Sequence, residues 1–145
     1  LVYDGIEKNL TVEELELGYR TSCILKKGYI VTEAKMKLLH GEEKEIRARM
    51  DELKKQRVEK QPLEFPSAGS TFKRPEGYFA GKLISDAGLK GFSVGGAQVS
   101  EKHAGFVINT GNATAADVIA LTDAVRDKVF EKYGVKLELE IKQLG

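Results

Sequence analysis

The chain has 145 residues, of which 41% are hydrophobic, enough to build one or two small packed units. Its 23 basic and 22 acidic residues leave a net charge of +1, which argues against nucleic-acid binding, because neutralising phosphates needs a clustered basic excess. The single cysteine, Cys23, excludes an internal disulfide and is typical of a reducing compartment, and no apolar run approaches the ~20 residues that span a bilayer.

The chain opens abruptly on an apolar segment. Leu1–Tyr3 predicts a strand that leads into a turn at Asp4 and Gly5. Domains seldom begin on an apolar strand, and residue 1 is not Met, so we interpret the chain as a piece of a longer protein. A processed terminus is the alternative.

Two short elements are predicted next. Thr11 and Glu14 have the spacing of a capping box, which predicts a short helix ending at Gly18. Tyr29–Val31 is typical of a strand, and we expect it to continue toward Leu39.

A charged helix is predicted over residues 41–60. Acidic residues precede basic ones by four positions, as in Glu43 and Arg47, which is the favourable order for helix ion pairs and is typical of a solvated face. The Gln61-Pro62 pair ends the helix, and proline, glycine and serine predict a loop over residues 61–78.

The second half alternates short helices and strands. A helix over residues 78–87 with Leu83 and Ile84 inward is followed by a glycine-dense stretch of turns, and strands are predicted at 98–100 and 106–109. Thr114 caps a long helix that Gly134 ends. Residues 135–144 alternate apolar and charged side chains, which predicts a final strand. Because helices and strands do not alternate strictly, we expect an α+β fold.

The residues alone leave the chemistry open. Gly69, Ser70, Lys73 and Arg74 offer backbone donors, a hydroxyl and two cations to an anion, although a polar surface turn explains the same composition. The glycines at 88–96 do not have dinucleotide-binding spacing, and two histidines and one cysteine far apart predict no metal site.

Eight segments, taken together, resemble the UDP-N-acetylenolpyruvylglucosamine reductase family of peptidoglycan precursor synthesis. The resemblance covers residues 12–145, and the set of motifs is highly specific. The absence of a long tyrosine-bearing insertion between Tyr29 and Gly41 suggests the shorter, second type of the family. The matching segments are Tyr19–Ser22, Gln61-Pro62, Pro66–Pro75, Ala80–Ile84, Gly88–Gly91, Gly96–Ser100, His103–Phe106 and Leu137–Ile141.

The resemblance implies an architecture and a reaction. Residues 1–40 would be the tail of an FAD-binding region, and residues 41–145 would form a mixed α/β substrate-binding domain. In this family NADPH reduces FAD, and the flavin delivers hydride to the enolpyruvyl double bond of UDP-N-acetylglucosamine enolpyruvate, giving UDP-N-acetylmuramate. Most of the FAD contacts would precede Leu1, so we expect the isolated chain to bind FAD weakly and to be inactive.

The resemblance also implies roles for residues. Arg20 and Glu140 would stabilise the enolate-like intermediate, and Ser70 would donate the proton. Glu138 lies two positions from Glu140, so strand periodicity does not distinguish the two acids. The neighbouring residues Gly69, Lys73, Arg74 and Lys82 would bind substrate, with Arg74 standing where many family members have asparagine.

Further expectations concern the whole protein. The resemblance implies a cytoplasmic enzyme, monomeric at full length, with no metal, nucleic-acid or membrane partner. A non-catalytic anion-binding or interaction module that retains the fold is the alternative. That alternative predicts loss of Arg20, Ser70 or Glu140, and the sequence retains all three.

Overall fold

The computed structural model describes residues 2, 3 and 5–144, so the predictions on Leu1 and Asp4 lie outside the described residues. The chain divides into two compact units, residues 1–42 and 43–145. Helices occur together with strands that all pair antiparallel, which confirms the α+β class.

The first unit contains few regular elements. Strands β1 (Val2–Tyr3) and β2 (Ile6–Glu7) pair antiparallel, and helix α1 (Cys23–Lys27) ends at Gly28 in the left-handed conformation. Sequence reasoning missed α1, which buries Cys23.

Two predictions in the first unit were wrong. Thr11 and Glu14 exchange the two hydrogen bonds of a capping box, at 2.8 and 3.4 Å, yet turns follow instead of a helix. One helical hydrogen bond forms, from the N–H of Leu15 to the carbonyl of Thr11, but Glu16 with φ of 48° leaves the right-handed helical region and ends the turn. At the predicted strand Tyr29–Val31, only Ile30 takes part in a β-bridge, so no continuous strand is formed.

Three helices of the second unit agree with prediction to within two residues at most ends. They are α2 (Glu43–Lys60), α3 (Ala80–Asp86) and α4 (Ala115–Tyr133). Helix α4 begins at the predicted capping box between Thr114 and Asp117 and ends at Gly134 with φ of 67°. Helix α2 has no buried residue, whereas α3 buries Leu83 and Ile84 as predicted.

An antiparallel sheet forms the centre of the second unit. Its strands are β3 (Ser67–Ser70), β4 (Ser93–Val94), β5 (Ala97–Val99) and β6 (Phe106–Asn109), in the spatial order β3-β6-β5-β4. One face of the sheet packs on α3 and α4, and the apolar core that results includes Ile84, Val99, Leu121, Val125 and Val129.

The second unit corrects three further predictions. The expected loop at 61–78 contains β3, whose four residues include no large apolar side chain, and the glycine-dense stretch contains β4, whose two residues are too few for a period-two pattern. The predicted strand at 135–144 is not formed either. There only Leu139 makes a bridge, to Phe72, while Leu137 is buried in the core. The alternation of apolar and charged residues in this segment therefore reflects the packing of single apolar side chains and not a continuous strand.

Candidate functional site

An open groove of about 700 Å³ lies in the second unit, beside the end of β3. The last turn of α2 contributes Arg57, and the residue that follows α2, Gln61, lies next to it along the lining. Strand β3 contributes Ser67 and Ser70, and the turn before β6 contributes His103. A cation, an amide, hydroxyls and an imidazole therefore face one space, a set suited to a polar, anionic ligand.

Ser70 reaches the groove because β3 is bulged. Ser67 pairs with Ile108 and Ser70 with Phe106, so three residue steps on β3 oppose two on β6. Gly69 takes the extra step with φ of 86°, a left-handed conformation that glycine adopts without steric cost. Ser70 is exposed at the end of this strand.

The segment after Ser70 is joined to the segment that carries the two candidate acids. The N–H of Lys73 donates to the carbonyl of Glu138 at 2.8 Å, and the N–H of Glu140 donates to the carbonyl of Thr71 at 2.9 Å. These bonds flank the Phe72–Leu139 bridge. The structure therefore brings Glu140 next to the residue that follows Ser70.

The two acids have different environments, a distinction that periodicity did not make. Glu138 is exposed and forms a 2.9 Å ion pair with Lys73, which lowers the pKa of the Glu138 carboxyl. Glu140 is half-buried, and its Oε2 atom is buried. Glu138 is thus engaged at the surface, whereas Glu140 places a carboxylate in a less hydrated setting.

The cations predicted to bind substrate lie outside the groove lining. Lys73 pairs with Glu138, and Lys82 pairs with Asp86 at 2.8 Å, which raises the pKa of the Lys82 amine. The guanidinium of Arg74 lies 3.9 Å from the centre of the Phe79 ring, and its Nε donates to the carbonyl of Tyr78 at 3.3 Å.

Sequence reasoning missed Arg57, Gln61 and His103 as candidate site residues. The Nδ1 atom of His103 accepts the N–H of Gly105 at 3.1 Å, and its ring packs edge-on against Phe106 with centroids 4.8 Å apart. Gln61 and His103 lie within motifs that matched the family, which was the available signal. Arg57 belongs to a charged helix and carried no signal of its own.

Arg20 lies in the first unit. Gly18 and Thr21 form an isolated antiparallel bridge, so Tyr19 and Arg20 occupy the tip of a tight turn, not the helix end that the sequence predicted. Arg20 has φ of 56°, in the left-handed region, and its guanidinium lies 5.8 Å from the centre of the Tyr19 ring.

The fold and the groove can be compared with known proteins. The family model "UDP-N-acetylenolpyruvoylglucosamine reductase, C-terminal domain" matches residues 61–144, which is more than half of the chain. The chain belongs to this family. The resemblance noted from the motifs is thereby confirmed.

Individual relatives agree with the family assignment. A UDP-N-acetylenolpyruvoylglucosamine reductase of Agathobacter rectalis is 59% identical over 145 residues, and one of Clostridium perfringens is 61% identical over 138 residues. These alignments cover 100% and 95% of this chain, but only 46% and 45% of the relatives. The chain therefore spans about half the length of the curated reductases it matches.

A solved structure supports the fold. The crystal structure of UDP-N-acetylenolpyruvylglucosamine reductase from Thermus caldophilus matches with a TM-score of 0.81 and 39% sequence identity. The match covers 97% of this chain and 50% of that one. Among the described residues, no helix combines the length and apolarity of a bilayer span, and no group of three potential metal-ligating side chains occurs.

Proposed function

We propose that this chain supplies the substrate-binding part of a reductase that converts UDP-N-acetylglucosamine enolpyruvate to UDP-N-acetylmuramate. Membership of the reductase family supports the reaction class. The observation that carries the proposal is the placement of Ser70 on a groove with Arg57, next to the backbone that holds Glu140. Residues 1–40 would complete an FAD-binding region, and residues 41–145 would bind the sugar nucleotide.

The groove has the chemistry of a sugar-nucleotide site. A diphosphate carries negative charge and many acceptor oxygens, for which the Arg57 guanidinium and the Gln61 amide are suitable donors. FAD and NADPH also carry diphosphates, so these donors alone do not select the sugar nucleotide, and the assignment of the substrate to this groove rests on the family match. Because this chain covers only 46% and 45% of two of its relatives, we assign FAD mainly to the part of the reductase outside this chain, as the resemblance implies.

In the proposed reaction, residues of this chain stabilise the negative charge and donate the proton. The bound flavin would supply hydride to the terminal carbon of the enolpyruvyl group. Negative charge then spreads onto the substrate carboxylate, where the Arg20 guanidinium and the Glu140 carboxylic acid would stabilise it. The Ser70 hydroxyl would give its proton to the neighbouring carbon and complete the reduction.

The backbone of Arg20 is consistent with a functional role. A non-glycine residue in the left-handed region costs about 1–2 kcal/mol, and such residues are concentrated at functional sites.

Replacing Ser70 by alanine in the complete protein tests the function. Reduction of the flavin by NADPH should be unchanged, whereas reoxidation by the sugar nucleotide should slow by about 10²–10⁴-fold, the usual contribution of a general acid. Rapid-mixing absorbance of the flavin measures both steps. Ser67→Ala is the matched control, since Ser67 lines the same groove on the same strand.

Two results would contradict the proposal. Equal slowing of both steps in Ser70→Ala would remove the proton-donor role. Wild-type protein that binds the sugar nucleotide in calorimetry but never reduces it would support the non-catalytic module instead. The isolated chain is expected to purify without stoichiometric flavin absorbance.

A further inference from the structure

Thr71 is a buried polar residue that connects three segments of the second unit. Only 2% of its surface is exposed. Its N–H donates to the carbonyl of Gly105 at 2.8 Å, and its carbonyl accepts the N–H of Glu140 at 2.9 Å. Its hydroxyl oxygen accepts the N–H of Val107 at 2.9 Å. One residue thus ties the end of β3 both to β6 and to the segment that carries Glu140.

The hydroxyl has a specific task at the bulge. In a regular antiparallel ladder, the N–H of Val107 on β6 would donate to a backbone carbonyl of the neighbouring strand. The extra step at Gly69 disturbs that register, and the side chain of Thr71 supplies the acceptor. Because a buried N–H that loses its acceptor is costly, the hydroxyl favours the bulged arrangement over others.

The bulged arrangement determines where two proposed reactive groups lie. Ser70 immediately precedes Thr71, and the backbone N–H of Glu140 donates a hydrogen bond to the Thr71 carbonyl. A shift of Thr71 relative to β6 therefore moves both groups together relative to the groove wall formed by His103 and Phe106.

We propose that the hydroxyl of Thr71 is a positioning element that sets Ser70 and Glu140 for proton delivery. Thr71 takes no part in the chemistry, and the inference rests on the function proposed above. Errors of about 1 Å in the placement of reacting groups can cost about 10²-fold in rate, so a single internal hydrogen bond can have a measurable effect.

The test compares two substitutions in the complete protein. Thr71→Val keeps the shape of the side chain and removes the acceptor, whereas Thr71→Ser keeps the hydroxyl. For Thr71→Val we expect kcat for reduction of the sugar nucleotide to fall about 10- to 100-fold with KM little changed. Flavin reduction by NADPH should be unaffected, and the solvent deuterium isotope effect on sugar reduction should rise. Thr71→Ser should restore kcat to within about threefold of wild type.

Several outcomes would overturn the inference. Equal kcat losses in Thr71→Val and Thr71→Ser, a change in KM alone, or an unchanged isotope effect would each assign Thr71 to folding and not to positioning. If Thr71→Val does not fold, Thr71→Cys, whose sulfur is a weak acceptor, must show the same split. If the wild-type protein and the Thr71→Val variant both reduce the sugar nucleotide at the same rate, only the inference about Thr71 is overturned. If the wild-type protein does not reduce the sugar nucleotide, the proposed function is overturned as well.

Discussion

Helices α2 and α4 have nearly the same length, 18 and 19 residues, but they are stabilised in different ways. Helix α4 buries Leu121, Val125 and Val129 completely against the sheet. Helix α2 buries none of its residues, and its apolar side chains, such as Met50, stay about half exposed or more. In α2, Ile46, Met50 and Leu53 also recur every three to four residues and stay exposed, so neither helix length nor a narrow apolar stripe alone makes a helix part of the core.

The ends of the two helices differ as well. Thr114 and Asp117 close a complete capping box at the start of α4. Helix α2 instead carries ion pairs on its surface. One of them, Glu43–Arg47 at 2.7 Å, was predicted from the sequence. Each such pair adds little to the stability of the protein. The last turn of α2 nevertheless supplies Arg57 to the groove. The weakly anchored helix thus contributes to the candidate site, and the well-packed helix supports the sheet behind it.

The largest effect is expected when a buried side chain of α4 is truncated, and truncation of an exposed side chain of α2 is the comparison. Leu121→Ala should lower the free energy of unfolding by about 2–5 kcal/mol, because it leaves a cavity at a fully buried position. Met50→Ala should change it by less than about 0.5 kcal/mol. Urea unfolding of the complete protein measures both, and a comparable loss in Met50→Ala would mean that α2 is covered in the complete protein.

A smaller effect should appear at the start of α4 and depend on pH. Hydrogen bonds from the backbone and side chain of Thr114 lower the pKa of Asp117. Because the folded pKa lies below the unfolded one, the stabilisation is complete above the ordinary aspartate pKa of about 3.9 and disappears as pH falls through the folded pKa. Thermal melts of Asp117→Asn should therefore differ from wild type at neutral pH and converge in acid.

A difference that instead persisted or grew in acid would contradict this assignment. Asp123→Asn is a control on the same helix, since that carboxylate forms only an exposed ion pair with Arg126 and does not cap the helix.

The smallest effect is expected for the surface pairs of α2. Arg47→Gln should lower stability by no more than about 0.5 kcal/mol, because both members of its pair with Glu43 are largely exposed. Adding salt should remove the difference, since screening weakens exposed pairs. A salt-independent loss above about 1 kcal/mol would show that α2 is held by more than charge.

The sequence predicted the parts of the fold whose signals are local. Thr114, Asp117 and Gly134 define the ends of α4, and the apolar run of residues 106–109 predicted β6 at its observed bounds. The failures depend on partners distant in the chain. Strand β3 exists because β6 lies beside it, and Leu139 anchors its segment by one bridge to Phe72, which no local pattern reveals.

The candidate site was predictable in part for the same reason. Motifs identified Ser70 and Glu140, and the structure joins their segments through Thr71. Strand periodicity did not separate Glu138 from Glu140, because the difference between their environments comes from tertiary contacts such as the ion pair of Glu138 with Lys73. The contribution of Arg57 depends on where α2 ends relative to β3, which is a tertiary property.

The bulge at Gly69 has a consequence for how this segment tolerates change in length. Side chains alternate between the two faces of a strand, so adding or removing one residue moves every later side chain to the opposite face. The number of residues from Ser67 to Ser70, and not only their identity, therefore determines whether the Ser70 hydroxyl faces the groove. A relative that lacked one residue here would keep the serine in its sequence and lose it from the groove.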